Sequence, residues 1–310
     1  MAAPSTSDAP RPHLSPKALW TILRGTFDQW NADEAPRHGA ALAFYSILSI
    51  GPLLLIVISL AGLAYGQEAA SRHVLTELRA LIGAEGGDAI AEILANTSNE
   101  KKSVLAAIIG FVTLIVSATG FFGQLQSSLN RIWNVPAANM NLWDFVRQRL
   151  LSFSMIIGIC LLLLTSLVIS AALAAVMDMF GTSLSVVGLQ IANLVISFVV
   201  TTALFAMTFK VLPDVDIKFR DVWIGAAITS ILFAIGKYLI GLYLGQSAFG
   251  STYGAAGSLI VLLVWVYYSA QIFFFGAEFT QVYARYMGHR FEARHPAKKP
   301  DKPTPSATPA

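Results

Sequence analysis

The sequence contains little charge and almost no cysteine. Charged residues make up 13% of its 310 residues, whereas 55% are hydrophobic and the mean hydropathy is +0.62. Soluble globular chains carry about twice that share of charge. Cys160 is the single cysteine, which excludes an intrachain disulfide and a cysteine-based metal cluster. The composition is that of a membrane protein.

Catalytic motifs are also missing. There is no HxxxH metal spacing, no GxSxG nucleophile elbow and no phosphate-cradling Gly-Lys loop. The five histidines all fall in predicted tails or loops: His13, His38, His73, His289 and His295. We therefore expect a protein that is not an enzyme, with no catalytic residues, no cofactor and no metal.

Six apolar runs dominate the chain. A hydrocarbon core of about 30 Å requires roughly 20 apolar residues per helix. The runs lie at about 41–65, 104–123, 151–176, 186–209, 222–245 and 256–283. They predict an all-α membrane protein with six transmembrane helices in a single domain over residues 15–290. The polar N-terminal tail (1–14) does not resemble a cleaved signal, and it and the C-terminal tail (291–310) are predicted to be disordered.

The distribution of Lys and Arg predicts the orientation. Sixteen of the 21 lie before the first run, after the sixth run, or in the loops after the second and fourth runs. The alternate loops hold only four, beside seven acids. By the positive-inside rule both termini are cytoplasmic. Although the net charge is +3 and the pI about 9.0, the cations are dispersed, so we expect no nucleic-acid partner.

Amphipathic segments flank the first run. Residues 15–31 begin with Ser-Pro, a helix-start signal, and space Leu19, Leu23 and Phe27 four residues apart. This pattern predicts a helix on the inner membrane surface. The loop at about 66–103 contains two shorter amphipathic pieces, which predict extracytoplasmic helices covering the outer face.

The first run contains a Gly-Pro pair at residues 51–52. Pro52 cannot donate to the carbonyl of Leu48, so the helix is expected to kink or open beside Tyr45 and Ser49, which share one face. Two interpretations stay open. The kink either serves packing alone, or lines a cavity as in transporters with broken helices.

Lys237 lies inside the fifth run. A lysine at the centre of a membrane helix costs about 2.5–3.5 kcal/mol on insertion scales. It therefore either faces a polar interior, where it favours an anionic group, or snorkels toward the outer surface.

Runs four and six carry polar stripes. Tyr267, Gln271 and Glu278 lie along one face of run six, and Glu278, near the inner end, is either buried or solvated at the interface. Opposite chain directions separate Glu278 from Lys237 by ~12 Å in depth. In run four, Asn193 and Ser197 with Thr201 either line a solute path or join helices by hydrogen bonds.

Four ordered motifs resemble one family. They are "AALAFYSILSIGPLLL" (40–55), "GFFGQLQSSLNRIW" (120–133), "LPDVDIKFRDVWIGA" (212–226) and "YGAAGSLIVLLVWVYYSAQIFFFGAEF" (253–279). Over about residues 15–290 the chain resembles the YihY/BrkB family of bacterial inner-membrane proteins. The resemblance implies six helices with both ends inside, in the cytoplasmic (inner) membrane. No biochemical activity is established for that family, so the resemblance does not imply one. Its members are linked to serum resistance and suspected in export of lipid or envelope precursors. A ribonuclease BN label attached to some members disagrees with the lack of metal-ligand spacing here.

We therefore expect a transporter or flippase-like exporter of an anionic envelope or lipid-related solute. The alternative is a non-transporting membrane scaffold or regulator of envelope integrity. The partners expected are the lipid bilayer and an anionic lipid or solute, with a homo-oligomer or an envelope protein left open. The candidate path residues are Tyr45, Ser49, Pro52, Asn193, Ser197, Lys237, Tyr267, Gln271 and Glu278.

Overall fold

The computed structural model describes residues 15–82, 84–98, 104–135, 186–246, 257–289 and 291–293. These residues form eight helices and one pair of very short strands. In chain order the elements are α1 (Pro16–Ala32), α2 (Ala35–Tyr65), α3 (Gln67–Ile82), α4 (Ala84–Ser98), α5 (Val104–Ile132), α6 (Val186–Val211), β1 (Val215–Asp216), α7 (Phe219–Gln246), α8 (Gly257–Tyr286) and β2 (Glu292–Ala293). The predicted all-α class is confirmed for the described residues.

Three helices in the described part of the chain are long and apolar enough to cross a membrane. They are Leu194–Val211 in α6, Phe219–Leu244 in α7 and Gly257–Tyr286 in α8. The predicted spans at 41–65 and 104–123 lie within α2 and α5. The predicted span at 151–176, together with Cys160, lies outside the described residues, so the number six stays a prediction.

Helix α1 begins where the Ser-Pro signal predicts. The Ser15 hydroxyl accepts a hydrogen bond from the backbone N–H of Ala18 at 3.2 Å, and Pro16 occupies the first helical position. Its buried residues are Ala18, Ile22 and Thr26. Ile22 packs against Phe279 and Tyr283 of α8, so a narrow face of α1 joins the bundle.

The opposite, apolar side of α1 is exposed. Trp20 is 69% exposed, and Leu19, Leu23 and Phe27 are also open to the surroundings. A helix that binds protein through one face and leaves large apolar side chains on another suits the boundary between headgroups and acyl chains.

Helix α2 packs against both α5 and α8. Glycines allow the close approach: a Cβ at Gly39 would overlap the amide nitrogen of Gln271 on α8, and one at Gly120 of α5 would overlap the ring of Tyr45. Buried side chains of α5, α6 and α8, including Leu129, Phe209 and Phe274, form the core beside them. First and last predicted spans are therefore neighbours.

Helices α7 and α8 interlock through two glycines and two threonines. Gly225 of α7 faces Thr280 of α8, and Gly276 of α8 faces Thr229 of α7, each too closely for a Cβ. Each threonine hydroxyl donates to the carbonyl four residues earlier on its own helix, Thr229 to Gly225 and Thr280 to Gly276, both at 2.7 Å. The polar groups are thereby satisfied while the backbones pack closely.

Helices α3 and α4 form a hairpin at the end of α2 and α8, where the sequence predicts extracytoplasmic helices. Ile90 and Leu94 of α4 pack with Leu54 of α2 and Leu262 of α8. The Gly66 backbone joins α2 to α3 with φ +80°, a conformation that favours glycine. The hairpin covers the end of the bundle opposite α1.

Two short strands pair at the end of the bundle opposite this hairpin. Val215 pairs with Ala293 and Asp216 with Glu292 in an antiparallel ladder. Strand β2 lies at residues 292–293, within the segment that the sequence assigns to a disordered tail from 291 onward. Its ordering follows from this pairing and from Phe291, whose ring lies 4.8 Å from that of Trp133. Residues 1–14 and 294–310 lie outside the described residues.

Candidate functional site

Helix α2 runs from Ala35 to Tyr65 through Pro52. Since Pro52 has no N–H to donate in either case, the kinked turn and the opened turn both stay predictions. The Ser49 hydroxyl donates to the carbonyl of Ser46 at 3.1 Å, so it is directed away from the Leu48 carbonyl. The side chain of Pro52 lies outside the described residues.

Lys237 is half-buried on α7. Gly236, which precedes it, packs against Tyr268 and Ile272 of α8. The Lys237 backbone therefore lies level with Tyr268, and Glu278 lies ten residues further along α8, ~15 Å away along the axis. Lys237 and Glu278 therefore lie at different depths, as the chain directions predict.

The middle of α8 places Gln271 against α2. Both polar atoms of the Gln271 amide are buried without a hydrogen-bond partner among the described residues, and the amide contacts the backbone at Gly39. Tyr267 is half-buried one turn earlier. Gln271 and Glu278 thus both lie on α8, but two turns apart.

The stripe on α6 stays apart from these residues. Ser197 is exposed, and the side chain of Asn193 lies outside the described residues. The polar contact of α6 with α7 is made instead by Thr202, whose hydroxyl donates to that of Ser230 at 3.1 Å. This contact joins α6 to α7, and both interpretations of the stripe at Asn193, Ser197 and Thr201 stay predictions.

Glu278 is fully buried, with 0% exposure. The interfacial, solvated alternative for this residue is therefore wrong, because α1, α2 and α5 enclose this part of α8. Both carboxylate oxygens lack a hydrogen-bond partner among the described residues. Asp33, in the turn before α2, and Arg285 are the charged groups that act on it.

The end of α5 completes the surroundings of Glu278. Arg131 forms an ion pair with Asp33, with 3.5 Å between Nε and Oδ1. One turn beyond Glu278, the Gln281 amide donates to the carbonyl of Ile132 at 2.9 Å, while its oxygen stays buried without a partner among the described residues. We call Asp33, Arg131, Glu278 and Gln281 the acid cluster.

His38 forms a second polar contact beside the acid cluster. Its Nδ1 lies 2.9 Å from the amide nitrogen of Gln124, so the ring accepts a hydrogen bond and carries its own proton on Nε2. Gln124 also donates to the Ser128 hydroxyl at 3.3 Å. His38 precedes the predicted span at 41–65, and burial lowers its pKa. The neutral imidazole is therefore the form that this site favours.

Asp214 anchors the loop between α6 and α7 to α5. Its Oδ2 accepts hydrogen bonds from Gln126 at 3.0 Å and Asn130 at 2.9 Å, and its backbone N–H donates to Asn130 at 2.8 Å. Nearby, His289 beyond α8 binds Asp221 at the start of α7, with 2.5 Å between Nδ1 and Oδ2. These bonds fix the end of the bundle on which the acid cluster lies.

Sequence reasoning missed most of these groups. The segment 120–133 carries Gln124 and Ser128 four residues apart, and Gln126 and Asn130 four residues apart on another face. Such spacing indicates polar helix faces that need partners. The predicted run at 104–123 ends before these residues, and the partners of Gln124, Gln126 and Asn130 lie more than 80 residues away in sequence.

An apolar groove lies between α1, α7 and α8. Its volume is about 350 Å³, and it is open to the surroundings along one side. Its lining is formed by Phe27, Trp30, Leu232, Ile235, Gly236, Leu239, Tyr268, Gln271, Ile272 and Phe275. It runs from the surface helix α1 toward the middle of the apolar stretch of α7.

Comparison with curated proteins finds membrane proteins of similar sequence. The UPF0761 membrane protein of Alcanivorax borkumensis is 25% identical over 280 residues, covering 88% of this chain and 62% of the relative. That of Kangiella koreensis is 25% identical, covering 89% and 66%. That of Mannheimia succiniciproducens is 24% identical, covering 86% and 89%. The chain thus spans less than two thirds of the length of the first two relatives.

No solved structure matches the chain. The family model described as virulence factor BrkB matches residues 26–301, which include α2 to α8 and both the acid cluster and the groove. The chain belongs to the BrkB family of membrane proteins.

Proposed function

We propose that this protein moves an anionic, lipid-related envelope solute across the membrane, with the acyl part of the solute in the groove between α1, α7 and α8. The observation that carries this proposal is the apolar groove itself, which has a volume of about 350 Å³ and is open along one side. Its volume falls within the range of small-molecule sites, about 300–1,000 Å³.

The position of the groove favours a lipid over a water-soluble solute. Ile235 and Leu239 of α7 are 53% and 52% exposed, within a stretch apolar enough to lie in the bilayer. Acyl chains are the molecules that meet such a surface. Phe27 and Trp30 of α1 close the groove at the end nearer the membrane surface.

Lys237 supports the anionic part of the proposal. It follows Gly236, which lines the groove, and it is half-buried within an apolar helix. A phosphate or carboxylate group of a solute is the type of group that an ammonium binds by charge-assisted hydrogen bonds.

Filling the groove tests the proposal. Ile235→Trp adds bulk inside the groove, whereas Ile231→Trp, at a residue of α7 that is 49% exposed and does not line it, adds the same bulk elsewhere. Transfer of a fluorescent anionic phospholipid is measured in vesicles containing the full chain. We expect Ile235→Trp to slow transfer at least several-fold and Ile231→Trp to leave it unchanged. Equal rates in both variants would contradict the proposal.

Lys237 provides a separate test of the charge. Lys237→Arg keeps the cation and is expected to retain part of the transfer of the anionic lipid, while Lys237→Met is expected to abolish it without lowering expression. Full transfer by Lys237→Met would contradict a role for the charge and favour the snorkelling interpretation.

A further inference from the structure

The buried carboxyl of Glu278 lies away from the groove and calls for an explanation of its own. It has 0% exposure, and neither oxygen has a hydrogen-bond donor among the described residues. An ionised carboxylate without donors is far costlier to bury than a neutral carboxylic acid. Binding a proton removes this cost.

Asp33 offers the acceptor that a protonated Glu278 needs. One oxygen of Asp33 pairs with Arg131 at 3.5 Å. The other, Oδ2, is buried and has no donor among the described residues. Asp33 acts on Glu278 electrostatically, and a neighbouring carboxylate favours the neutral, protonated form of a buried carboxyl group.

The other described charged groups near this part of α8 are exposed or already paired, so none of them binds Glu278 in place of Asp33. On α8 itself Arg285 is exposed. From α2, His38 contacts Gln124, and Glu34 pairs with Arg37 at the surface. From α1, Lys17, Arg24 and Asp28 are exposed. From α7, Asp221 is bound by His289, and α4 meets α8 at the opposite end, around Leu262.

We propose that Glu278 and Asp33 form a proton-binding site, in which Glu278 carries the proton and Asp33 accepts its hydrogen bond. The proton comes from solvent water on the side of the acid cluster and returns to it on release, so no other reactant is needed. The site goes beyond the proposed function: a protein that moves no lipid would still bind the proton.

Infrared spectroscopy of the full chain in a detergent without ester groups tests the site. A protonated carboxylic acid gives a carbonyl-stretch band that a carboxylate lacks. We expect this band at neutral pH in the unmodified protein, its loss in Glu278→Gln, and a shift of its frequency in Asp33→Asn. Glu34→Gln, which changes an exposed carboxylate, is the matched control and is expected to leave the band unchanged.

Two results would overturn the proposal. One is a band that survives in folded Glu278→Gln. The other, which needs no variant, is the absence of the band from the unmodified protein throughout a titration from acidic to alkaline pH. Because Gln mimics the neutral acid, Glu278→Gln is expected to melt no lower than the unmodified protein, whereas a large loss of thermal stability would mean that the ionised form is the native one.

Discussion

Gly276 decides how closely α7 and α8 pack. A Cβ at this position would overlap the Thr229 side chain, so Gly276→Ala forces the helices apart. We expect a loss of about 1–3 kcal/mol, the usual cost of overpacking, seen as a lower melting temperature in detergent. The matched control is Gly25→Ala on α1, where the added carbon would lie 3.4 Å from Val282. It is expected to be neutral or slightly stabilising, because alanine favours helix. Equal losses in the two variants would contradict the interlock.

His38 links stability to pH. Burial lowers its pKa in the folded state, so the unfolded chain binds the proton more readily. Stability is therefore unaffected well above the ordinary value of about 6.5 and falls as the pH drops below it. His38→Gln, which cannot be protonated, is expected to lose this part of the acid sensitivity. Melting curves at about pH 8 and about pH 5 measure it. An unchanged slope in the variant would assign the sensitivity to other groups.

Single residues were the hardest part to predict from the sequence. Lys237 and Glu278 stand out because charge in an apolar run is costly, and the sequence places them at different depths. The sequence does not reveal that Glu278 is enclosed, because burial depends on Asp33 and Arg131, which come from distant elements. Asp214 and His289 were likewise unassigned, since their partners are brought close only by the folded chain.

One face of α1 packs on the bundle and the other is exposed, and substitutions can distinguish the two. Ile22 is 1% exposed and packs on α8, so Ile22→Ala is expected to cost about 2–4 kcal/mol and to lower the melting temperature in detergent. Trp20 is 69% exposed, so Trp20→Ala is the control and is expected to melt like the unmodified protein. If Trp20→Ala lowered the melting temperature more than Ile22→Ala does, the Trp20 face rather than the Ile22 face would pack against the bundle.

Whole elements were predicted better than their packing faces. Apolar runs of membrane length, and the Ser15 cap, predicted α1, α2, α5, α6, α7 and α8 to within a few residues at most ends. The periodicity of α1 identifies Leu19, Leu23 and Phe27, which are exposed, but not Ile22, which packs on α8. A membrane protein presents large apolar side chains to lipid as well as to its core. Hydrophobicity alone cannot separate the two surfaces.

For the whole molecule, orientation remains a prediction that labelling can check. Single cysteines at Ser98 and Ser306, in a Cys160→Ala background, are expected to react with an impermeant thiol reagent from outside and from inside respectively, as the distribution of Lys and Arg requires. Both positions are polar and small, so the substitutions themselves are mild. Labelling of position 306 in intact cells would overturn the orientation.

The contact between α2 and α8 has a consequence for synthesis. Helix α2 begins at Ala35 and α8 at Gly257, some two hundred residues later, so a ribosome making about 5–20 residues per second takes on the order of ten to forty seconds to supply the partner. Throughout that interval His38 and the backbone at Gly39 have no α8 to cover them. The nascent chain must therefore be sheltered by the insertion machinery or by its own earlier helices until the last span arrives. A ribosome that stalls before α8 therefore leaves a product in which α2 lacks this partner.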